Sequence, residues 1–265
     1  VGFFNTFLLT NPPKKGSWFH SYNFKAGIVL KTTKMTGAAI GYFFCTFRAL
    51  TFTKNHYTMK KIILYLSAIL ILTATSLGQS YERFGINSTK GKPQGLGEGL
   101  TAPYFEGKDQ NGNTIKLTEQ LRKGPVVVIF YRGYWCPVCN KHLSHFQQSL
   151  GNITEQGASV IAVTPETNES ASKTVDKHGI TFPVITDKNY EIMKKYGVKF
   201  SVTDQYSDKI KTALDADIAA TNGDDEAVLP VPATYIIGQD GKIKKAFFDI
   251  NYKNRPSTQE IARYL

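Results

Sequence analysis

Cys136 and Cys139 stand two residues apart in FYRGYWCPVCNKHL, residues 130–143, directly after an apolar run. A pair at this spacing can exchange disulfides, or reduce a peroxide with one thiol and resolve the product with the other. It can also share a metal with His142 and His145, which continue the series at three-residue intervals. The metal use fails on geometry. Three-residue steps along one helix drift by about 60° each, so four ligands spread over roughly half the circumference and cannot converge on a tetrahedral zinc. A c-type haem needs His directly after the second cysteine, where Asn140 stands. A structural staple gains little, because closing so short a loop removes little chain entropy. No metal and no cofactor are expected: His142 and His145 read as surface residues of a helix, and Asp224-Asp225-Glu226 as a solvated loop.

Redox chemistry needs its first cysteine where a thiolate is stabilised, which a helix start provides through free N–H groups and the macrodipole. The sequence predicts that placement. GPVVVIFY (124–131) is continuously apolar and β-branched, as a strand buried on both faces should be. From Cys136 to about Gln156, Cys139, Leu143, Phe146 and Leu150 recur at helical spacing, so the second cysteine lies one turn beyond the first. Arg132, at the strand end, can add positive charge beside the thiolate or a bound oxygen.

The surrounding elements alternate. Asn111-Gly112 marks a hairpin, 158–165 a second buried strand, 166–179 a helix ended by Gly179, and 181–187 a third strand. A short helix stopped at Gly197 follows, then a polar stretch with a helix over 205–219. ATYIIG (233–238), a Gln239-Asp240-Gly241 turn and KIKKAFFDI form a closing hairpin, and a last helix begins near Thr258. This is the α/β class, a mixed central sheet flanked by helices over residues 101–265. Residues 79–100, with Gly95, Gly97 and Gly99 alternating, read as a linker.

Charge separates a leader from the domain. The chain is +11 overall, but residues 1–81 hold nine Lys/Arg and no acid, leaving 23 basic against 21 acidic residues beyond. The basic excess therefore does not describe the domain, and nucleic acid is not an expected partner. Met59-Lys60-Lys61, sixteen uncharged residues and Ser76/Gly78 match a signal peptide over 59–78, with cleavage after Gly78. Export to a periplasmic or extracellular space is expected, with membrane attachment only through that segment if it stays uncleaved; no cysteine follows it for lipid attachment. Residues 1–58 are aromatic, basic and acid-free, which suggests translated upstream sequence with the start at Met59.

YRGYWCPVC, TFPVITDKNYEIMKKYGV and LPVPATYIIGQDGKI, in that order, resemble a peroxiredoxin-like branch of the alkyl hydroperoxide reductase/thiol-specific antioxidant family, over residues 101–264. The resemblance implies a thioredoxin-like fold, a hydroperoxide substrate, and a thioredoxin-like or other thiol reductant. It implies Cys136 as the peroxidatic thiol, oxidised to sulfenic acid, and Cys139 as the resolving thiol. Three positions depart from the family pattern: Gly133 and Ile129 stand where Thr and Pro are typical, and Pro232 where an Arg is typical. Arg132 or Arg255 would replace that arginine. Trp135 before the first cysteine, and Pro232, expected as a cis proline bonded to Val231, resemble thioredoxins and exported thiol–disulfide oxidoreductases; Pro137, directly after the first cysteine, is expected as a supporting site residue. A peroxidase, such an oxidoreductase and a non-catalytic thioredoxin-like binding module are the three functions these motifs allow.

Overall fold

The central strand is the one the apolar run predicts. β3 (Val126–Phe130) is buried along its whole length. In the computed structural model, residues 60–67 and 81–265 are described; the expected extension over 1–58 and most of the expected signal over 59–78 lie outside them. Alternation along β3 divides the interior. Val127, Ile129 and Tyr131 face one apolar cluster, whereas Val126, Val128 and Phe130 face the other. Each aliphatic side chain removed from water in this way contributes about 1.5–3 kcal/mol.

Around β3 the sheet has the order β5-β4-β3-β8-β9, with β4 (Ser159–Thr164) and β5 (Val184–Thr186) parallel to the central strand. β8 (Ala233–Ile237) and β9 (Ile243–Phe248) are antiparallel. β1 (Glu106–Lys108) and β2 (Thr114–Lys116) form the expected hairpin. α1 (Leu117–Leu121) and later α5 (Glu191–Lys195) cover one face, through Leu117, Ile192 and Met193. α2 (Pro137–Gln148) and α4 (Asn168–His178) cover the other, through Cys139, Leu143, Phe146 and Ala171. The α/β class with a mixed, helix-flanked sheet is thus the observed one.

Four expectations are corrected. The helix expected from Cys136 to Gln156 is broken: α2 ends at Ser149, whose N–H is shared between His145 and Phe146 carbonyls, and α3 (Gly151–Thr154) restarts with Ile153 turned into the core. Ser149 and Gly151 are weak helix formers, which makes the break local and cheap. The helix expected over 205–219 is also two. α6 (Asp204–Leu214) stops at Asp215 in the left-handed region, and the Asp217 carboxylate caps α7 (Ile218–Asn222) by accepting from the Ala220 N–H. Flanking them, β6 (Lys199–Ser201) and β7 (Val228–Pro230) pair as a small antiparallel ribbon that the mixed composition of 199–229 did not reveal.

The fourth concerns the expected linker, which from Tyr81 onward is docked. Ile86 is buried and bridges Val202, the Gln94 and Gly95 N–H groups donate to the Gly197 carbonyl, and Gly99 donates to Ile243. Gly95 permits that approach, since a Cβ there would meet the Phe248 ring at 2.6 Å. Among the described residues, no helix is long and apolar enough to cross a membrane.

Candidate active site

Tyr131–Trp135 carries the chain from the carboxyl end of β3 to the start of α2, and Cys136 is the helix N-cap in extended conformation. Pro137 follows at the first helical position, where its missing N–H costs nothing and its fixed φ suits the turn. Sγ of Cys136 accepts from the Cys139 N–H at 3.3 Å, from the Cys139 thiol at 2.6 Å and from Arg132 Nη2 at 3.1 Å. Both cysteines are free and fully buried.

Arg132 is buried as well. Its Nη1 donates to the Tyr206 hydroxyl at 2.7 Å, and its guanidinium lies 3.7 Å from the Tyr252 ring centroid and 5.2 Å from that of Trp135. Burial works against its charge, but the neighbouring Cys136 and Cys139 sulfurs outweigh it and hold the guanidinium protonated. Arg255, 116 residues from Cys139, folds back so that Nη2 donates to Cys139 Sγ at 3.3 Å while Nε donates to the Tyr252 carbonyl. The Asp249 carboxylate holds this loop by accepting from the Asn251 N–H and from Asn254 Nδ2.

Each sulfur therefore has its own guanidinium. Two thiolates in contact cannot coexist, so the dithiol ionises in two widely separated steps that belong to the pair. The first lies well below the usual thiol range despite burial, because the remaining thiol, Arg255 and Arg132 all stabilise a single anion. The second is pushed far above that range by burial and then by the adjacent sulfur. A buried monoanion between two arginines is a poised nucleophile.

Beneath the loop lies a residue that sequence reasoning missed. Glu166 is fully buried just beyond β4; Oε1 accepts from the Tyr134 N–H at 2.9 Å, and Oε2 meets the Thr164 hydroxyl at 3.4 Å. Burial first, and then the negative charge shared by the cysteine pair and felt through Cys139, pushes its carboxyl up to about 8. A Glu before a helical pattern reads as an ordinary first-turn acid, so nothing in the sequence marked it. Tyr206 and Tyr252, which hold Arg132 from two other segments, carried no motif either.

Gly133 is explained by the same neighbourhood. Its φ is +155°, and a Cβ there would lie 2.6 Å from Trp135 Nε1 and 2.7 Å from Glu166 Oε1. The volume a threonine would need is already filled by an indole and a carboxyl. Pro232 corrects an expectation: among the described residues no peptide bond is cis, so Val231–Pro232 is trans. The chain runs extended from β7 straight into β8, with the Val231 N–H donating to Val198, and a trans bond serves that path. Pro232 itself is buried. His142 does not approach a metal site; its Nε2–H donates to the Pro256 carbonyl at 3.1 Å.

Three comparisons bear on this site. The AhpC/TSA family matches residues 99–246, which include both cysteines, Arg132 and Glu166. A protein named as a peroxiredoxin in Mycobacterium tuberculosis is 26% identical over 155 residues, 58% of this chain and 87% of its own length. The thiol-disulfide oxidoreductase ResA of Geobacillus thermodenitrificans is 25% identical over 181 residues, 68% of this chain and 83% of its own. Among solved structures, the peroxidoxin BcpB of M. tuberculosis superposes with a TM-score of 0.49 at 21% identity, covering 63% of this chain and 92% of that one.

Proposed function

We propose, from the premise that this chain belongs to the AhpC/TSA family and is a thiol-based oxidoreductase, that it is a peroxidase for small hydroperoxides. Cys136 is the attacking sulfur. Its thiolate forms an S–O bond to the terminal peroxide oxygen, the O–O bond breaks, and the alkoxide or hydroxide leaves as an alcohol or water on taking a proton. Cys139 then attacks the Cys136 sulfenic acid, forming the disulfide as a second water leaves. A thioredoxin-like or other dithiol returns the pair to its reduced state.

The observation that carries this reading is a fully buried, doubly arginine-bonded pair. A peroxide is small enough to reach a buried pair with little opening of the structure, and the guanidiniums can stabilise the charge that develops on the departing oxygen. Arg132 and Arg255 supply positive charge although Pro232 stands where the family's arginine is typical. A second reading, thiol–disulfide oxidoreductase, is favoured by the Trp135-Cys136-x-x-Cys139 dithiol and by the ResA relatives. The basic, apolar, small-residue pattern of 59–78 supports export, and N-terminal sequencing of the exported form is expected to begin at Gln79.

Rapid mixing of the reduced domain with hydrogen peroxide, against a model disulfide, separates the two. Millimolar or lower peroxide is expected to form the Cys136–Cys139 disulfide within seconds, and Cys139→Ser to leave a trappable sulfenic acid on Cys136. Peroxide reacting no faster than with free cysteine, while the model disulfide is reduced quickly, replaces the peroxidase by the oxidoreductase.

A further inference from the structure

We propose that Arg255 is a catalytic residue of the return half of the cycle: its guanidinium takes up the charge on Cys139 when an external thiol opens the Cys136–Cys139 disulfide. This role rests on one part of the proposed function, that the pair cycles between dithiol and disulfide. That part is common to a peroxidase and to a thiol–disulfide oxidoreductase. Arg255 Nη2 donates to Cys139 Sγ at 3.3 Å, so it touches a reacting atom. Arg132 serves the other sulfur, with Nη2 donating to Cys136 Sγ at 3.1 Å.

Three observations suit Arg255 to a departing sulfur. It is held from outside the pair: Nε donates to the Tyr252 carbonyl at 2.9 Å, Asp249 pins the loop through Asn251 and Asn254, and His142 on α2 donates to the Pro256 carbonyl. The guanidinium therefore keeps its place while the sulfurs rebond. The sulfurs already lie in contact at 2.6 Å, so making or breaking their bond moves Cys139 Sγ little. Nor is the charge already neutralised, since among the described residues no carboxylate forms an ion pair with Arg255. A hydrogen bond from a cation to a thiolate is stronger than one to a neutral sulfur. Arg255 thus binds the leaving sulfur more tightly as the S–S bond stretches, and a more stable leaving thiolate departs faster. Its charge is also among those that draw the first ionisation of the pair below the usual thiol range.

Cys136 is the sulfur attacked. It caps the start of α2 between Trp135 and Pro137, which line a surface hollow of about 510 Å³, whereas Cys139 lies one turn further in with Arg255 against its sulfur. The thiolate of a dithiol reductant bonds to Cys136 Sγ as the Cys136–Cys139 bond breaks, and the electron pair of that bond goes to Cys139 Sγ beside Arg255. The reductant's second thiol then loses its proton and attacks the reductant's first sulfur, displacing Cys136. Of the reductant's two protons, one stays on the pair as its remaining thiol and one passes to solvent. Two electrons pass from the reductant to the pair.

The disulfide form of the full chain is made with a non-peroxide oxidant, and its reduction by excess dithiothreitol is followed by tryptophan fluorescence. Arg255→Gln is expected to slow reduction by about tenfold or more, and to lower the midpoint potential of the pair by about 30 mV, which is a tenfold change in the equilibrium constant. In Arg255→Ala, millimolar guanidinium entering through the cavity of about 390 Å³ that Arg255 lines should restore part of the rate. Lost packing alone would not respond to a free cation. An unchanged reduction rate, or a loss that guanidinium leaves untouched, overturns the proposal. A wild type that is reduced normally but ignores peroxide removes the peroxidase reading and leaves this result standing. Should the Arg255 variants fold poorly, Cys136→Ser serves instead. Its lone Cys139 is expected to absorb as a thiolate at neutral pH, and titration at or above the usual value of about 8.5 overturns the assignment.

Discussion

Gly133 shows how one residue can look like a missing function and prove to be a packing requirement. Where the family typically has threonine, this chain has no side chain, and its Cβ position points between Trp135 Nε1 and Glu166 Oε1. Gly133→Thr should therefore lower stability by about 2–4 kcal/mol, from the close contacts together with the positive φ. Chemical denaturation checks it. The clash predicts coupling: Gly133→Thr should cost less by 1 kcal/mol or so in a Glu166→Ala background, whereas strict additivity would place the cause in the backbone alone. The thiols, their helix-start position and Arg132 were legible from local spacing, since all fall within eight residues. Arg255, Tyr206, Tyr252 and Glu166 were not, because they reach the pair through tertiary folding with no pattern to announce it.

At the scale of elements, the buried strands were the most legible parts. β3, β4 and β8 are unbroken β-branched or apolar runs, and no other backbone arrangement of that length buries both faces so readily. Helix ends and the β6–β7 ribbon were not legible, because short polar segments are decided by capping and packing. The contact between α2 and the 249–257 loop belongs to this class and gives a prediction. The ring of His142, partly buried and donating to Pro256, has its pKa pushed down from 6.5 to about 4 by burial and then by Arg255. The fold thus prefers the neutral ring. Its contribution is complete above about 6.5 and is lost as pH falls through 4. Wild type should lose on the order of 2 kcal/mol more than His142→Asn between pH 7 and pH 4 in urea titrations, after allowance for partial exposure. Parallel pH curves for the two proteins would show that His142 takes up its proton in the folded protein as readily as in the unfolded chain.

Across the whole molecule, the site is closed by segments far apart in the chain. Tyr206 comes from α6, Tyr252 and Arg255 from the loop after β9, and the docked segment before β1 brings Gly85 against the Tyr206 ring, where a Cβ would sit 2.5 Å away. Phe84 meets Tyr252 edge-on at 6.3 Å. This cover makes both sulfurs inaccessible in the closed state, so any reagent larger than a peroxide must wait for a local opening. Reduced wild type should then react with a bulky maleimide far more slowly than the denatured chain does, while peroxide oxidation stays fast. Tyr252→Ala removes the ring stacked on Arg132, and should raise the maleimide rate by about tenfold, equivalent to roughly 1.4 kcal/mol less opening cost. The same variant should slow the peroxide step, because the guanidinium it frees no longer holds its place against Cys136. Opposite changes in the two rates are the signature of a cover that also positions the arginine. If both rates rise together, Tyr252 only limits access; if neither moves, the pair is closed by α6 and the segment before β1 without it.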